Sequence, residues 1–343
     1  MSGGGGTSRA VVVEKPGAHR LVEREVPEPG PGEVRVRVAA AGVCMSDREV
    51  YDGHRDPAYV RYPLVPGHEW SGTVEAVGPG VDASLVGRRC VAEGFRACGT
   101  CERCRCGETS LCTAGYAETG FTEPGAFADH VVVPARLLHL LHDEADPRAA
   151  ALLEPAAVVA AAVRAGCPRP GERVAVVGAG TLGLLAVQLL SASSPAELAV
   201  VDPRVARGAQ ALRFGASEAL APEEAAAGSY GRFDLVVETA GAPSTAASSC
   251  LLARRGGRVV LTGMFAPGAV GIDPAHLSVS QLEVRSVFGA PSAAWADAVR
   301  AFGLGLLDPA PLITHEFPLE RFAEAVALVG GGDPLTGKVL LRP

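Results

Sequence analysis

Short segments that alternate apolar and polar residues fill the first part of the chain, between residues 9 and 88. The clearest segment is 33–38, where Val occupies every second position, and this period predicts a strand with one buried face. Clusters rich in Gly and Pro, such as 27–32 and 78–80, separate the segments and predict turns. The pattern indicates an antiparallel, barrel-like β domain.

A different pattern begins at residue 147. Residues 147–164 are Ala-rich with helical spacing, and the apolar run 173–177 predicts a fully buried strand. Further strand-length apolar runs alternate with helical segments: the strands are 198–201, 233–238, 257–263 and 284–289, and the helices are 184–190, 295–302 and 319–329. Buried strands separated by helices are typical of a doubly wound parallel sheet. A last strand, 338–341, is expected to return to the first domain.

The change of pattern predicts a β domain over 9–155, an α/β domain over 156–291 and a C-terminal segment, 292–343, that returns to the first domain. A length of 343 residues suits two domains. The net charge of −7 argues against nucleic-acid and anionic-membrane partners. No apolar run approaches about 18 residues, and the Gly-rich start lacks the apolar core of a secretion signal, so a cytoplasmic location is expected.

The nine cysteines are clustered, which in a cytosolic chain favours metal binding over disulfides. Four of them follow the pattern C-x2-C-x2-C-x7-C; they are Cys98, Cys101, Cys104 and Cys112. Four thiolates in one short loop predict a closed, tetrahedral structural zinc site. An iron–sulfur site and a nucleic-acid-binding zinc finger are the alternatives, but Thr113 stands where a ferredoxin-like pattern has Pro, and no basic recognition helix is apparent. Cys106 is out of register and is interpreted as a spare thiol.

A second group of metal-binding residue types lies between residues 42 and 69. Cys44, His68 and Glu69 offer a thiolate, an imidazole and a carboxylate, all of which suit zinc. Ser46 and Asp47 follow the thiol within three positions. A Cys and a His about 24 residues apart are more often unrelated core residues than metal ligands, so this stretch alone is weak evidence.

Glu154 stands inside the apolar helical segment 147–164, next to Pro155. One interpretation is that its carboxylate faces a charged or polar group, because an unpaired buried acid is costly. The other interpretation is an ordinary acid in the first turn of a helix that has Pro at its first position.

The strand at 173–177 leads directly into a Gly-rich turn and a helix. The turn has the sequence G-x-G-x-x-G and includes Gly178, Gly180, Thr181, Leu182 and Gly183. In this context the glycines let the backbone approach a pyrophosphate at a helix N-terminus. Asp202, about 20 residues on, would accept hydrogen bonds from ribose hydroxyls and favours NAD, and a plain turn is the alternative explanation of Asp202. Arg204 and Arg207 are close enough in sequence to meet a 2′-phosphate, so NADP is also allowed.

Together, these motifs resemble the zinc-containing medium-chain dehydrogenase/reductase family, which includes alcohol, sorbitol and threonine dehydrogenases. The resemblance covers essentially the whole chain and rests on the motifs at 42–47, 67–69, 98–112, 154–155 and 178–183. It implies a GroES-like β-barrel catalytic domain and a Rossmann domain, with the active site in the cleft between them. It also implies a catalytic zinc ion held by Cys44, His68 and Glu154, with Glu69 as a neighbouring or alternate ligand, and a structural zinc ion in the four-Cys loop.

The resemblance further implies oxidation of an alcohol with transfer of a hydride to NAD. Ser46 would take the proton of the substrate hydroxyl, whose pKa the metal lowers. Asp47 would orient a metal ligand, although it could equally cap a loop. Many alcohol dehydrogenases have His at the position of Glu49, where it ends a proton relay to solvent. Glu49 could pass protons in its place or could be a surface carboxylate.

Three short sequence segments, at 67–72, 84–87 and 120–122, give a narrower resemblance to 2-deoxy-scyllo-inosamine dehydrogenases of aminoglycoside antibiotic biosynthesis. The expected function is therefore zinc-dependent, NAD(P)-linked oxidation of a secondary alcohol on a polyol or aminocyclitol. A threonine- or sorbitol-type dehydrogenase is the main alternative; a zinc-independent double-bond reductase and a non-enzymatic NAD-binding redox sensor are others. The expected partners are a small-molecule alcohol and further copies of the chain, as a homodimer or homotetramer.

Overall fold

Strands dominate the first part of the chain, and strands and helices alternate in the second. The computed structural model describes residues 6–265, 268–333 and 335–343. The strands are β1 (Thr7–Lys15), β2 (Ala18–Glu25), β3 (Glu33–Val43), β4 (Glu69–Val77), β5 (Arg89–Ala92), β6 (His130–Pro134), β7 (Leu138–Leu140), β8 (Arg173–Val177), β9 (Glu197–Val201), β10 (Glu218–Leu220), β11 (Phe233–Glu238), β12 (Ala253–Leu261), β13 (Glu283–Ser286), β14 (Ile313–Pro318) and β15 (Lys338–Arg342). The helices are α1 (Met45–Asp52), α2 (Glu102–Arg105), α3 (Pro147–Ala150), α4 (Leu153–Gly166), α5 (Thr181–Ser191), α6 (Val205–Arg213), α7 (Pro222–Gly228), α8 (Thr245–Leu252), α9 (Pro274–Ser280), α10 (Ser292–Gly303) and α11 (Phe322–Leu328).

The first of two compact units contains, among the described residues, 6–154, 291–299 and those after 308. Its main sheet has the strand order β14-β15-β3-β4-β5-β7, and β6 also pairs with β3. All of these pairs are antiparallel except β14–β15. The predicted antiparallel architecture is confirmed, and β15 pairs with β3 as expected for a returning strand.

The alternation along β3 sets the register that later positions the candidate metal ligands. Every second side chain from Val34 to Val38 is buried in one apolar core. A shift of one residue would turn these valines to solvent, so burial specifies how β3 pairs with its neighbours. In the resulting register Gly42, near the end of β3, lies opposite Glu69 at the start of β4.

The second unit comprises residues 155–290 and 300–308. Its sheet has the strand order β10-β9-β8-β11-β12-β13, with every neighbouring pair parallel. Within this sheet the first strand along the chain, β8, lies in the middle. Strands β9 and β10 follow on one side of it, and the chain then crosses to β11 on the other side. Ligands of such sheets bind beyond the carboxyl ends of the strands, at the point where the strand order reverses. The predicted doubly wound parallel sheet is confirmed.

The predicted C-terminal segment, 292–343, does not lie wholly in the first unit, because residues 300–308 belong to the second. Gln188 of α5 anchors residues 300–308 to the second unit through Asp308. Its side chain donates to the Asp308 carbonyl oxygen at 3.1 Å and accepts from the Asp308 N–H at 2.6 Å. Leu307 beside it is buried. This attachment joins residues 120 positions apart, and apolar periodicity carries no sign of it.

The helical segment predicted over 147–164 is two helices, α3 and α4, with a break at residues 151–152. Pro155 has no N–H to donate to the carbonyl group of residue 151, so a continuous helix would lose that bond. Helix α4 begins at Leu153, and Glu154 therefore lies in its first turn. Neither these helices nor any other in the described ranges is long and apolar enough to cross a membrane.

Candidate active site and nucleotide pocket

Cys44 lies where strand β3 ends and helix α1 begins, as the N-terminal cap of that helix. The Asp47 carboxylate accepts a hydrogen bond from the Cys44 backbone N–H at 2.9 Å, and the Cys44 side chain faces the Asp47 N–H in return. This capping box holds the thiol at the positive end of the helix dipole, where a thiolate is stabilised. The local sequence Cys-Met-Ser-Asp thus starts helix α1 and also fixes the position of the Cys44 sulfur at its N-terminus.

Asp47 also lies against His68. Its Oδ1 atom is 3.4 Å from His68 Nδ1, just outside hydrogen-bond geometry, and accepts a hydrogen bond from the Gly67 N–H at 3.3 Å. Both side chains are buried. Burial lowers the pKa of His68, but the negative charge of Asp47 raises it, and the net pKa lies well above its ordinary value. A carboxylate in this position can orient the ring and leave its other nitrogen available to a metal.

One ligand atom from each of Cys44, His68 and Glu69 lies within 4.8 Å of the other two. Thiolate, imidazole and carboxylate are the donor types that zinc takes in proteins. Glu69 reaches this group because Gly42 opposite it has no side chain: a Cβ at Gly42 would lie 2.3 Å from Glu69 Oε2. The donor set therefore fits a single zinc ion. We call these three residues the metal group.

Lys338 faces Glu69 inside the protein. Its Nζ donates to Glu69 Oε1 at 2.7 Å and lies 2.5 Å from Oε2, a second contact that lacks hydrogen-bond geometry. Burial lowers the pKa of Lys338, but the negative charges of Glu69, Cys44 and Glu154 and the hydrogen bond to Glu69 together outweigh it, so the net pKa is raised. Sequence reasoning missed this residue. Its one signal is composition, because Lys15 and Lys338 are the only lysines in an arginine-rich chain.

Glu154 borders the metal group but is not within it. Burial raises the pKa of Glu154 to about 8, and the carboxylates of Glu69 and Glu118 act in the same direction. A carboxyl group that stays protonated near neutral pH lies where positive charge is lacking, and a divalent cation would supply that charge. The structure thus brings Glu69 to the Cys and His, whereas the family resemblance points to Glu154 as the third ligand.

Ser46 and Glu49, the other predicted catalytic residues, lie on α1. Ser46 is half-buried in its first turn. Glu49 is 40% exposed, with its Oε2 atom 3.8 Å from Arg55 Nη1. The Arg55 guanidinium lies 4.3 Å from the centre of the Phe121 ring, and that ring packs against the His68 imidazole at 4.7 Å. Glu49 is therefore paired with Arg55, and Arg55 is linked to His68 of the metal group by the Phe121 ring that lies between them.

Glu118 is a buried acid that sequence reasoning missed. It accepts a hydrogen bond from the Tyr116 hydroxyl, which in turn accepts one from Arg55 Nη2 at 3.4 Å. Burial raises the pKa of Glu118, and the charge of His68 only partly opposes this. No motif marks Glu118, because Arg55 and Tyr116 are 61 residues apart and meet only after folding.

The four cysteines of the C-x2-C-x2-C-x7-C loop converge, with all four sulfurs within 4.8 Å of one another. Cys98 Sγ is 4.0 Å from Cys104 Sγ. A tetrahedral zinc ion with Zn–S bonds of about 2.3 Å separates its sulfurs by about 3.8 Å, so the spacing fits. Hydrogen bonds from Thr100 lower the pKa of Cys98 to about 5, whereas burial raises the pKa of Cys104 to about 12. Cys106 is exposed and outside the group.

The Gly-rich turn connects β8 to α5. Gly178 has a φ of 97°, and a Cβ at Gly183 would lie 1.8 Å from the Gly178 carbonyl oxygen, so both positions require glycine. Gly180 caps α5, and the half-buried Thr181 and Leu182 form its first turn. The backbone N–H groups at the start of α5 can therefore meet an anion such as a pyrophosphate.

A cavity of about 380 Å³ lies beside this turn. Its walls are largely apolar and include Val177, Val201, Pro203, Ala225, Tyr230 and Leu252. Asp202 lies at its edge and accepts a hydrogen bond from the Ala179 N–H at 2.7 Å. Arg204, also at the edge, forms an ion pair with Asp202 at 2.8 Å. Arg207 is buried and donates to Gln210 Oε1 at 3.2 Å.

Two known domain families match the chain in order. Residues 30–143 match the alcohol dehydrogenase GroES-like domain, and residues 181–303 match the zinc-binding dehydrogenase domain. L-threonine 3-dehydrogenase of Pyrococcus horikoshii is 32% identical over 96% of this chain and 97% of its own length. The chain belongs to the zinc-binding dehydrogenase family.

Two solved structures of dehydrogenases are also similar over nearly the whole chain. A protein described as a short chain alcohol dehydrogenase, rspB from Escherichia coli, complexed with NADH, has a TM-score of 0.91 and 31% identity, covering 98% of this chain and 99% of that one. A zinc-binding dehydrogenase from Sinorhizobium meliloti, bound to NADP, has a TM-score of 0.90 and 28% identity, covering 98% and 100%. Membership of the family confirms the predicted fold, a GroES-like domain with a Rossmann domain, and makes the chain an oxidoreductase.

Proposed function

We propose that this zinc-binding dehydrogenase oxidises a secondary alcohol of a polyol or aminocyclitol to a ketone, with NAD(P) as the hydride acceptor. The observation that carries the proposal is the convergence of the half-buried Cys44 with the buried His68 and Glu69, with Glu154 beside them, in a member of this family. When bound, zinc makes an alcohol more acidic as a Lewis acid, and the nicotinamide accepts the hydride.

Three side chains of α1 have separate roles in this proposal. Ser46, half-buried in the first turn, accepts the proton of the substrate hydroxyl. Asp47 keeps the His68 ring oriented from behind. Glu49, partly exposed and paired with Arg55, passes the proton on to solvent. It thus takes the role of the His that many alcohol dehydrogenases have at this position.

The charges around the metal group favour a substrate that carries an amine. The acidic groups are Cys44, Asp47, Glu69, Glu118 and Glu154, and the basic side chains are Lys338 and Arg55. A bound divalent ion favours the ionised form of Glu154, so these five acidic groups then face four positive charges, two on the ion and two on the basic side chains. In a poorly solvated site this excess attracts a cation and repels an anion. An aminocyclitol such as 2-deoxy-scyllo-inosamine brings an ammonium group, whereas a phosphorylated polyol would add negative charge.

L-Threonine is the second candidate substrate, because a relative 32% identical to this chain is an L-threonine 3-dehydrogenase. Threonine also carries an ammonium group, but its carboxylate needs a cationic partner. Arg55, a cation of this region, is already paired with Glu49 and bonded to Tyr116. The arrangement therefore favours an amino alcohol without a carboxylate.

The test is NADH formation by the zinc-loaded protein with 2-deoxy-scyllo-inosamine, scyllo-inositol, sorbitol and L-threonine. We expect the aminocyclitol to give the highest kcat/KM, and scyllo-inositol, which lacks the amine, a much lower one. Highest turnover with L-threonine would support the threonine-type alternative. Binding of NAD without turnover of any alcohol would contradict the proposal and favour a non-enzymatic sensor.

Cys44→Ser tests the metal group, and Cys106→Ser is the matched control because that thiol is exposed and outside both cysteine-containing groups. Cys44→Ser should lower the zinc content by about one ion per chain and kcat by roughly a hundredfold or more. Cys106→Ser should change neither. Unchanged turnover in the Cys44 variant would rule out a zinc ion at this site as the basis of catalysis.

A further inference from the structure

The cavity beside the Gly-rich turn has an acid and a base in contact at its edge. Among its described lining residues, Asp202 is the one acidic and Arg204 the one basic side chain. Val177 and Val201, which end strands β8 and β9, line it as well. In a doubly wound sheet the adenosine half of a dinucleotide binds at the carboxyl ends of these strands. Its ribose lies against the acid that follows the second strand of the sheet, which is β9 in this chain.

Asp202 has no acceptor site left for a ribose hydroxyl. Its Oδ2 atom accepts from the Ala179 N–H at 2.7 Å and from Arg204 Nη2 at 2.8 Å. Its Oδ1 atom accepts from the Arg204 backbone N–H at 2.8 Å and from Arg204 Nε at 2.9 Å. A carboxylate oxygen has two lone pairs, so these bonds use all of the acceptor sites of Asp202.

Arg204 also cancels the charge of Asp202. The contact is bidentate, and the Asp202 side chain is only 2% exposed, so solvent screens the pair poorly. A ribose 2′-hydroxyl could reach Asp202 only by displacing a guanidinium N–H, which would cost a charge-assisted hydrogen bond. A 2′-phosphate meets no such cost, because the carboxylate that would repel it is already neutralised.

Arg204 can in addition meet a phosphate directly. A guanidinium has five N–H donors, and Asp202 takes two of them. The side chain of Arg204 is 39% exposed, so its remaining donors are accessible from the cavity edge. Arg207, which the sequence offers as the other candidate, is buried and is not among the described residues that line the cavity.

We propose that Arg204 determines the cofactor preference of this chain, and that the pocket binds NADP at least as tightly as NAD. The proposal rests on the dinucleotide-linked function proposed above and specifies its cofactor. An acid at position 202 alone predicts NAD, and the contact with Arg204 reverses that expectation.

The test compares two adenosine fragments that differ only in the 2′-phosphate, adenosine 2′,5′-bisphosphate and 5′-AMP. Their binding to the full-length protein is measured by isothermal titration calorimetry, so the readout does not depend on zinc, substrate or turnover. Arg204→Ala is the test variant. Arg213→Ala is the matched control, because Arg213 is an exposed arginine at the end of α6 and is not among the described lining residues.

We expect the wild-type protein and the Arg213 variant to bind the bisphosphate at least as tightly as AMP. Arg204→Ala should weaken bisphosphate binding by roughly tenfold to a hundredfold, the value of a lost charge-assisted hydrogen bond, and should not weaken AMP binding. A wild-type preference for AMP, or an Arg204 variant that still prefers the bisphosphate, would overturn this proposal alone. Binding of neither fragment to the wild-type protein would overturn the dinucleotide-linked function together with it.

Discussion

Replacing Lys338 by Met removes the cation that faces Glu69 and keeps a side chain of similar length. Lys338 is 5% exposed and Glu69 is 1% exposed, and the ammonium group lies 2.7 Å from Glu69 Oε1. Without Lys338, the metal-free protein holds the Glu69 carboxylate beside Cys44 and Glu154 without the ammonium group that pairs with it. The substitution therefore measures how far the returning strand β15 stabilises the metal group.

The expected loss is about 3–5 kcal/mol in the free energy of unfolding of the metal-free protein, the cost of removing one partner of a buried ion pair. No discount for solvent screening applies, because both side chains are almost completely buried. The bond from Lys338 to the Val43 carbonyl oxygen, at 3.4 Å, is too long to add much. Added zinc should recover part of the loss, because the folded state alone offers the assembled site.

The assay is urea-induced unfolding of chelator-treated protein, followed by circular dichroism. Lys338→Met, Glu69→Gln and the double variant are compared with wild type, and Lys15→Met is the matched control because Lys15 is the other lysine and is exposed. The double variant should be more stable than the sum of the single losses predicts, by about 2 kcal/mol. A Lys338 variant within about 1 kcal/mol of wild type, or single losses that simply add, would refute the reasoning.

Three further substitutions probe other parts of the chain. Gly183→Ala puts a methyl group 1.8 Å from a backbone carbonyl oxygen, so calorimetry should show lost AMP binding and unfolding should show a loss of about 3 kcal/mol; normal binding would contradict the close approach. Ser292→Ala removes the hydroxyl that donates to the buried Glu93 at 2.9 Å and should cost about 1–3 kcal/mol in urea, whereas unchanged stability would mean that this bond contributes nothing. Burial raises the pKa of Asp234, but Arg254 holds it below its ordinary 3.8, so the stabilisation from this carboxylate is complete above pH 3.8 and is lost as the pH falls through the lowered pKa. Asp234→Asn should therefore destabilise the protein near neutral pH and converge with wild type in acid; a difference that persists in strong acid would contradict the ion-pair origin.

Features with a local cause could be predicted from the sequence. The alternating valines of β3 predict a strand because one face must be buried, and the structure has that strand. The four-Cys loop and the turn at 178–183 are similarly compact in sequence, so their spacing alone specifies the chemistry that they can support. These motifs were sufficient to predict the family.

Contacts between distant segments could not be predicted in this way. Glu69 and Lys338 are 269 residues apart, and they meet because β15 pairs with β3 while β3 also pairs with β4. Glu118 is similar, since its neighbours come from separate loops. The break at residues 151–152 is a different case: Pro155 was visible, but the apolar periodicity continues across it.

The sequence by itself determined the donor types, the spacing of the cysteines and glycines, and the periodicity of strands and helices, because each of these depends on residues close together in the chain. Only the tertiary structure decided how the charges pair. It set Lys338 against Glu69 and left Glu154 with a raised pKa at the border of the metal group. It also turned Arg204 back onto Asp202, two residues away, although the sequence equally allows that side chain to face a ligand. Pairing of this kind depends on strand register, burial and side-chain direction, which are properties of the folded chain.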